Sequence, residues 1–304
     1  MLERYIKVII MLLILALGYV LREVRLFSRD DAKTISKIMM NLTLPATIIT
    51  NLNGTRLTKD ILGAILLGFA VNAFFFLFYL VFSDKKDRDD RYVKLFCMCS
   101  FNIGSLTYPL MTNFASPLAQ SAVLTFNYPG TAVFTYGIPN AVGERIRSGE
   151  KGFSLKQTLR SMSHSVTTIA CFGTLILCLF SISLPAFVIR FTGTVAMANT
   201  ALAMLLTGIM LNLKISRREL AENIKVVLMR LAASVISALV IYFLLPFSEE
   251  VRCALTVTVF SPIATAMPAQ ALHSGYEGER VAIVNSIYMV ISIVIMTALI
   301  AWFY

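Results

Sequence analysis

The chain has 304 residues, of which 57% are hydrophobic and only 14% charged, and its mean hydropathy is +0.76. A soluble domain carries roughly 25% charged residues, so this composition excludes an ordinary soluble fold and predicts an all-α polytopic membrane protein. The 27 Lys and Arg residues exceed the 17 Asp and Glu residues, giving a net charge of +10. Because the basic residues form short runs between apolar stretches, they are typical of cytoplasmic loops, and we expect no nucleic-acid partner.

Ten apolar stretches are long enough to cross a lipid bilayer, which needs roughly 20 helical residues for about 30 Å of hydrocarbon. No small-residue cleavage pattern follows the first stretch, so we expect it to be retained as a membrane helix. The predicted segments, first to tenth, span approximately 5–21, 35–52, 61–82, 93–112, 118–142, 166–184, 186–213, 226–246, 251–273 and 281–303.

The distribution of basic residues predicts the orientation. All but six of the 27 Lys and Arg residues fall in the odd-numbered loops, with Arg230 counted in the seventh. Cytoplasmic loops are enriched in Lys and Arg, so both termini are expected on the non-cytoplasmic side of the plasma (inner) membrane. Arg190 and Arg230 could either attract anions in a vestibule or extend to the membrane interface. The six exceptions are Arg4, Lys7, Arg56, Lys59, Arg190 and Arg252.

The ten segments divide into two sets of five around the longest basic loop. The predicted units are an N-terminal five-helix repeat (1–142), a cytoplasmic basic loop (143–164) and a C-terminal five-helix repeat (165–304). Because five is odd, the two sets enter the membrane from opposite sides, which is the arrangement of an inverted repeat. The loop contains an amphipathic stretch that would act as a regulatory element or lipid anchor, or else simply as a linker.

The chemistry-bearing residues argue against an enzyme. All 17 acidic residues lie in loops or at segment ends, so a buried carboxylate relay for protons is not expected. The five cysteines have no redox or zinc spacing, and there are only two histidines. We therefore expect no catalytic residues, no metal and no cofactor, while a sodium site built from carbonyls and hydroxyls stays open.

The fourth segment carries the clearest functional pattern. Gly104 permits close backbone approach, and Pro109 lacks an N–H and clashes with the carbonyl of Ser105, so we predict that the helix breaks there. Backbone groups freed at mid-membrane cannot face lipid and are available to a substrate. Asn102, Ser105 and Thr107 would add side-chain donors and acceptors.

The ninth segment occupies the corresponding position of the second half. Two prolines six residues apart, Pro262 and Pro268, predict unwinding, although a kinked helix is the simpler alternative for one segment alone. Two broken segments in matching positions favour a binding site, to which Thr265 and Gln270 would also contribute. In the tenth segment, Asn285 and Tyr288 are secondary candidates that could line the route or bond neighbouring helices.

These residues carry a family resemblance. Asn102, Gly104 and Pro109 in the fourth segment, the stretch from Asn41 to Ala46 in the second, and the two prolines of the ninth resemble the auxin efflux carrier family. The short central loop is similar to that of its compact bacterial permeases. The chain departs from the family pattern at Thr107, where glycine is expected, and in the seventh segment, which lacks a proline opposite Pro45.

The resemblance implies a fold and a function. Segments one, two, six and seven would form a scaffold able to dimerise, and the others a transport domain in which the broken fourth and ninth helices cross. Family members move small organic anions such as auxin, malate or malonate, and the residue matching Asn102 contacts the substrate carboxylate. Asn41, Thr43 and Pro45 are secondary candidates in the second segment.

The leading hypothesis is a secondary transporter of small organic anions that works by alternating access at the crossing. The free N–H groups at the start of each half-helix would bind a carboxylate without a buried Arg or Lys, which we do not expect at mid-membrane. The alternatives are a sodium-coupled symporter of the bile-acid type and a membrane-embedded sensor without transport.

Overall fold

The structure is a computed structural model of the full chain, and it describes residues 2–83, 88–131, 134, 138, 166–273, 276 and 278–304. Within these ranges the chain forms helices, turns and irregular segments, and no β-strand. The predicted central loop, 143–164, lies outside the described residues.

The described helices fall on the two sides of that loop. In the first half they are α1 (Leu2–Glu23), α2 (Arg29–Ile38), α3 (Leu44–Leu52), α4 (Lys59–Phe82), α5 (Arg88–Met98), α6 (Tyr108–Met111) and α7 (Pro117–Thr131). In the second half they are α8 (Val166–Leu179), α9 (Ala186–Met210), α10 (Arg217–Leu244), α11 (Glu249–Thr258), α12 (Met267–His273) and α13 (Gly278–Phe303). Wider, π-helical turns at Met39–Thr43 and Ile103–Thr107 lead into α3 and α6.

Each of the ten predicted segments overlaps one of these helices or a divided pair of them. Four of the described helices, α4, α9, α10 and α13, are long and apolar enough to cross a membrane. Their outer faces carry large apolar side chains; Phe187 of α9 and Trp302 of α13 are 81% and 82% exposed. The all-helical character of the prediction is thus confirmed for the described residues. The ten-helix topology and the inverted repeat stay predictions.

Two helices begin at complete capping boxes. The Ser28 side chain accepts hydrogen bonds from the first turn of α2, and the Asp31 carboxylate accepts one from the Ser28 N–H. Ser216 and Glu219 make the same reciprocal pair at the start of α10. Because the first N–H groups of a helix have no partner within it, these local pairs fix where each helix starts.

Both π-helical turns end two positions before a proline. A proline inside an α-helix lacks an N–H and clashes with the carbonyl four residues earlier, and a π-turn moves that carbonyl aside. Met39–Thr43 precedes Pro45, and Ile103–Thr107 precedes Pro109. The prediction that the fourth segment breaks at Pro109 is therefore wrong, because the π-turn absorbs the clash and Pro109 lies in the first turn of α6.

Helices α1 and α9 approach each other closely at two glycines. Gly18 of α1 lies against Leu205 and Gly208 of α9, and Gly208 lies against Leu15 and Tyr19 of α1. A Cβ on either glycine would overlap the backbone of the opposite helix. Small residues at such a position allow two membrane helices to pack backbone against backbone. This contact joins the first predicted half to the second.

Candidate binding site at the crossing of two broken helices

The fourth and ninth predicted segments are both interrupted by irregular backbone. In the fourth, α5 ends at Met98, and residues 99–102 are not helical before the π-turn begins at Ile103. In the ninth, α11 ends at Thr258, and turns and irregular backbone cover residues 259–266 before α12. The first break thus lies upstream of Pro109, whereas the second contains Pro262 as predicted.

The two breaks touch each other. The backbone N–H of Asn102 donates a hydrogen bond of 2.8 Å to the carbonyl of Pro262. The hydroxyls of Thr107 and Ser261 are hydrogen-bonded to each other, and both side chains are fully buried. Thr107, at which the chain departs from the family pattern, therefore ties the two breaks together. The two broken segments are thus in contact, while the crossing of their helices stays a prediction.

The side chain of Asn102 has one satisfied and one unsatisfied polar atom. Its Oδ1 accepts a hydrogen bond of 2.5 Å from the Ser105 hydroxyl. Its Nδ2 is buried and has no hydrogen-bond partner among the described residues, and the residue as a whole is only 4% exposed. A buried donor without an acceptor is costly, so an acceptor supplied by a ligand would be favoured here. Ser105 orients the amide that offers this donor.

Arg230 of α10 is completely buried at the crossing, at 0% exposure. The expectation of no buried Arg or Lys is therefore wrong, as is the placement of Arg230 in the seventh loop or at an interface. Its guanidinium donates to backbone carbonyls of both broken segments. These acceptors are Cys97 and Met98 at the end of α5, Ser100 in the first break, and Ser261 and Pro262 in the second.

These bonds satisfy the last carbonyls of α5. A helix leaves its final four carbonyls without an intrahelical donor. In α5 the Leu95 carbonyl accepts from the Cys99 N–H at 3.1 Å, and the Phe96 carbonyl from the Ser100 hydroxyl at 3.3 Å. The remaining two carbonyls, at Cys97 and Met98, accept from Arg230. The helix can therefore end inside the protein without unpaired backbone.

Aromatic rings enclose the guanidinium. Its central carbon lies 5.0 Å from the ring centres of Phe101 and Tyr288 and 5.6 Å from that of Phe75. Tyr288 is fixed in turn by a 2.8 Å hydrogen bond between its hydroxyl and that of Ser234. Cations are attracted to the faces of aromatic rings, so this enclosure stabilises the charge. Tyr288, a predicted secondary site residue, therefore acts on the site by stabilising the charge of Arg230.

The other predicted residues divide by location. Gly104, Thr265, Pro268 and Gln270 lie in or beside the breaks and are partly exposed. The Asn285 side chain on α13 is buried, and its Oδ1 accepts no hydrogen bond from any described residue.

The candidates of the second segment make contacts elsewhere. Thr43 donates a 2.9 Å hydrogen bond to Asn199 of α9, and the exposed Asn41 donates to the Lys37 carbonyl of α2. Pro45 lies in the first turn of α3, which begins at Leu44. Asn199, in the segment that lacks the expected proline, supplies the partner for Thr43.

Thr207 of α9 also supports the crossing. Its hydroxyl donates 3.1 Å to the Ser105 carbonyl, which is the carbonyl four residues before Pro109, and 2.8 Å to a carbonyl of its own helix. Sequence reasoning found neither Thr207 nor Arg230 as site residues. A single arginine inside the apolar stretch 226–246 was the available signal for Arg230, since intramembrane charges mark functional positions.

We expect Thr207→Val to lower the free energy of unfolding by about 1–3 kcal/mol, because the buried Ser105 carbonyl loses its donor. Detergent-induced unfolding of the purified protein measures the change. Thr194→Val is the matched control, since the exposed Thr194 hydroxyl on the same helix donates to the Arg190 carbonyl of its own helix at 3.0 Å. An equal loss in both variants would contradict the role assigned to Thr207.

Comparison with known sequences relates part of the chain to a family. Residues 4–139, which include the first break and Asn102, match the sequence profile of a family described as membrane transport protein. No match was found among curated proteins. Over its residues 4–139 the chain is thus similar to the membrane transport protein family, which is the family of the auxin efflux carriers.

Proposed function

We propose that this protein is a secondary transporter of small organic anions, of the auxin, malate or malonate type. It would work by alternating access, with the substrate carboxylate bound where the two broken helices cross. The observation that carries the proposal is the buried Asn102 amide, whose Nδ2 has no acceptor among the described residues.

The chemistry of the crossing suits a carboxylate. Asn102 is the N-cap of the helical segment from Ile103 to Met111. The first N–H groups of a helix have no acceptor within it. They also carry the positive end of the helix dipole, about half an elementary charge. A carboxylate placed there would accept from these N–H groups and from the Asn102 amide. Such charge-assisted hydrogen bonds are about twice as strong as neutral ones.

The rest of the arrangement follows from this site. The scaffold would comprise the predicted segments one, two, six and seven and could form a homodimer within the bilayer. The remaining segments would form the transport domain, which moves the binding site at the crossing from one membrane face to the other. We place the protein in the plasma membrane with both termini on the non-cytoplasmic side, in line with its basic loops.

Uptake into proteoliposomes tests the proposal. The panel comprises radiolabelled indole-3-acetate, malate and malonate, each under imposed proton or sodium gradients. We expect saturable uptake of at least one anion by the wild type. Asn102→Ala should reduce it about tenfold or more, because one charge-assisted hydrogen bond to the substrate is lost.

Asn51→Ala is the matched control for this measurement. Asn51 lies on α3 and donates 2.7 Å to the Thr47 carbonyl of its own helix, away from the breaks. Its uptake should equal that of the wild type. No uptake of any anion by folded wild-type protein under any gradient would contradict the proposal and favour a sensor or another substrate class.

A further inference from the structure

Arg230 places a buried positive charge beside the proposed carboxylate site. Among the described residues, no carboxylate forms an ion pair with it, and its hydrogen bonds go to backbone carbonyls at both breaks. Burying an unpaired charge is expensive, so its retention here requires a compensating interaction.

The compensation comes from carbonyl oxygens of both broken segments. The carboxyl end of α5, which carries about half a negative charge from its dipole, turns the Cys97 and Met98 carbonyls to the guanidinium. The irregular backbone after α11 adds the carbonyls of Ser261 and Pro262. A crossing of this kind without an arginine would expose a cluster of carbonyl oxygens, and such oxygens bind a metal cation such as sodium.

We propose that Arg230 is the fixed cation of the crossing, which neutralises the carbonyl ends of both breaks and thereby makes the remaining N–H side selective for a carboxylate. Arg230 is thus a positioning and specificity-determining residue, and it takes the place that a soluble cation would otherwise fill. This inference rests on the proposed function.

The two sides of the crossing are adjacent. The Pro262 carbonyl accepts a 2.8 Å hydrogen bond from the Asn102 N–H and lies 3.4 Å from Nη2 of Arg230. The Arg230 guanidinium and the Asn102 backbone N–H therefore share one acceptor. Because Asn102 also carries the proposed substrate donor, Nδ2, a carboxylate bound there would lie near the charge of Arg230 in a poorly solvated interior, where electrostatic attraction is strong.

Binding of paired acids and amides to the purified full chain in lipid nanodiscs tests the inference. The probes are indole-3-acetate with indole-3-acetamide, and malonate with malonamide, which differ in charge and little in shape. Wild type should prefer the acid. Arg230→Gln should lower this preference about tenfold or more, because the uncovered carbonyl ends repel a carboxylate while an amide is less affected.

Sodium supplies a further readout that loss of packing alone would not produce. In Arg230→Gln, sodium should partly restore the preference for the acid by occupying the vacated carbonyls, and it should leave the wild type unchanged. Arg252→Gln is the matched control, since Arg252 lies half-buried over the Tyr242 ring at 5.4 Å. This variant should bind like the wild type.

The outcomes separate the two proposals. Wild type that binds none of the four probes would refute the proposed function, and the inference with it. Wild type that prefers acids, with the same preference and no sodium effect in Arg230→Gln, would leave the proposed function standing and refute the role of Arg230.

A second variant covers the case in which Arg230→Gln does not fold. Asn102→Asp places a carboxylate beside the guanidinium without changing Arg230. We expect its melting temperature to rise by a few degrees while binding of both acids is lost, because the new side chain takes the substrate's place. A melting temperature below that of Asn102→Leu would overturn the inference.

Discussion

Arg230→Leu should lower the free energy of unfolding by about 4 kcal/mol or more. Leucine fills part of the volume but donates no hydrogen bond, so four buried carbonyls lose their donor from Arg230, while Pro262 keeps the Asn102 N–H. Each unsatisfied buried acceptor costs about 1–3 kcal/mol, and partial relaxation or water entry recovers some of the sum. The affected carbonyls are those of Cys97, Met98, Ser100 and Ser261.

Unfolding by titration with a denaturing detergent, followed by circular dichroism, measures this loss. Arg252→Leu removes the same side chain from a half-buried position, where its guanidinium lies over Tyr242, and should cost far less. Arg230→Lys should be intermediate, because an ammonium keeps the charge but cannot reach carbonyls of both breaks in the fork geometry of arginine. Equal stability of Arg230→Leu and the wild type would refute the carbonyl-tethering role.

Gly208→Ala should separate α1 from α9 and cost about 3 kcal/mol or more. The added Cβ would overlap the Leu15 carbonyl and lie 2.9 Å from the Tyr19 nitrogen. Both obstacles are backbone atoms, which cannot move aside as the end of a flexible side chain can. Relief therefore requires displacement of a whole helix and loss of its packing.

The same detergent titration tests this substitution. Gly173→Ala is the matched control, because Gly173 lies in α8 with no heavy atom within 4 Å of the new Cβ. That change should stabilise the protein slightly, since alanine favours a helix by about 1 kcal/mol over glycine. Stabilisation by both alanines would mean that α1 and α9 do not pack at Gly208.

Much of the fold follows from local rules. The apolar lengths locate the helices, and Pro262 marks the second break because its ring lacks an N–H and clashes with the carbonyl four residues earlier. The capping boxes at Ser28 and Ser216 set the starts of α2 and α10. These features depend on residues within about one helical turn of each other, so the sequence states them directly.

The position of the first break depends on distant contacts. Pro109 clashes with the Ser105 carbonyl in an α-helix, and the sequence therefore predicted a break at that point. Instead a π-turn forms there, and the Ser105 carbonyl accepts a hydrogen bond from the Thr207 hydroxyl, 102 positions away in the chain. The helix breaks at residues 99–102, where Arg230 and Pro262 supply the missing hydrogen bonds.

Residue patterns were sufficient to predict an all-helical chain with two interrupted segments, because apolar helices and their breaks are local features. The partners at the crossing could not be read in this way. The bond from Arg230 to the Cys97 carbonyl joins residues 133 positions apart, and only the packing of α10 against both breaks brings them together. The electrostatic balance of the site is therefore a property of the tertiary structure, since helix ends and one arginine act on a carboxylate only once they are adjacent.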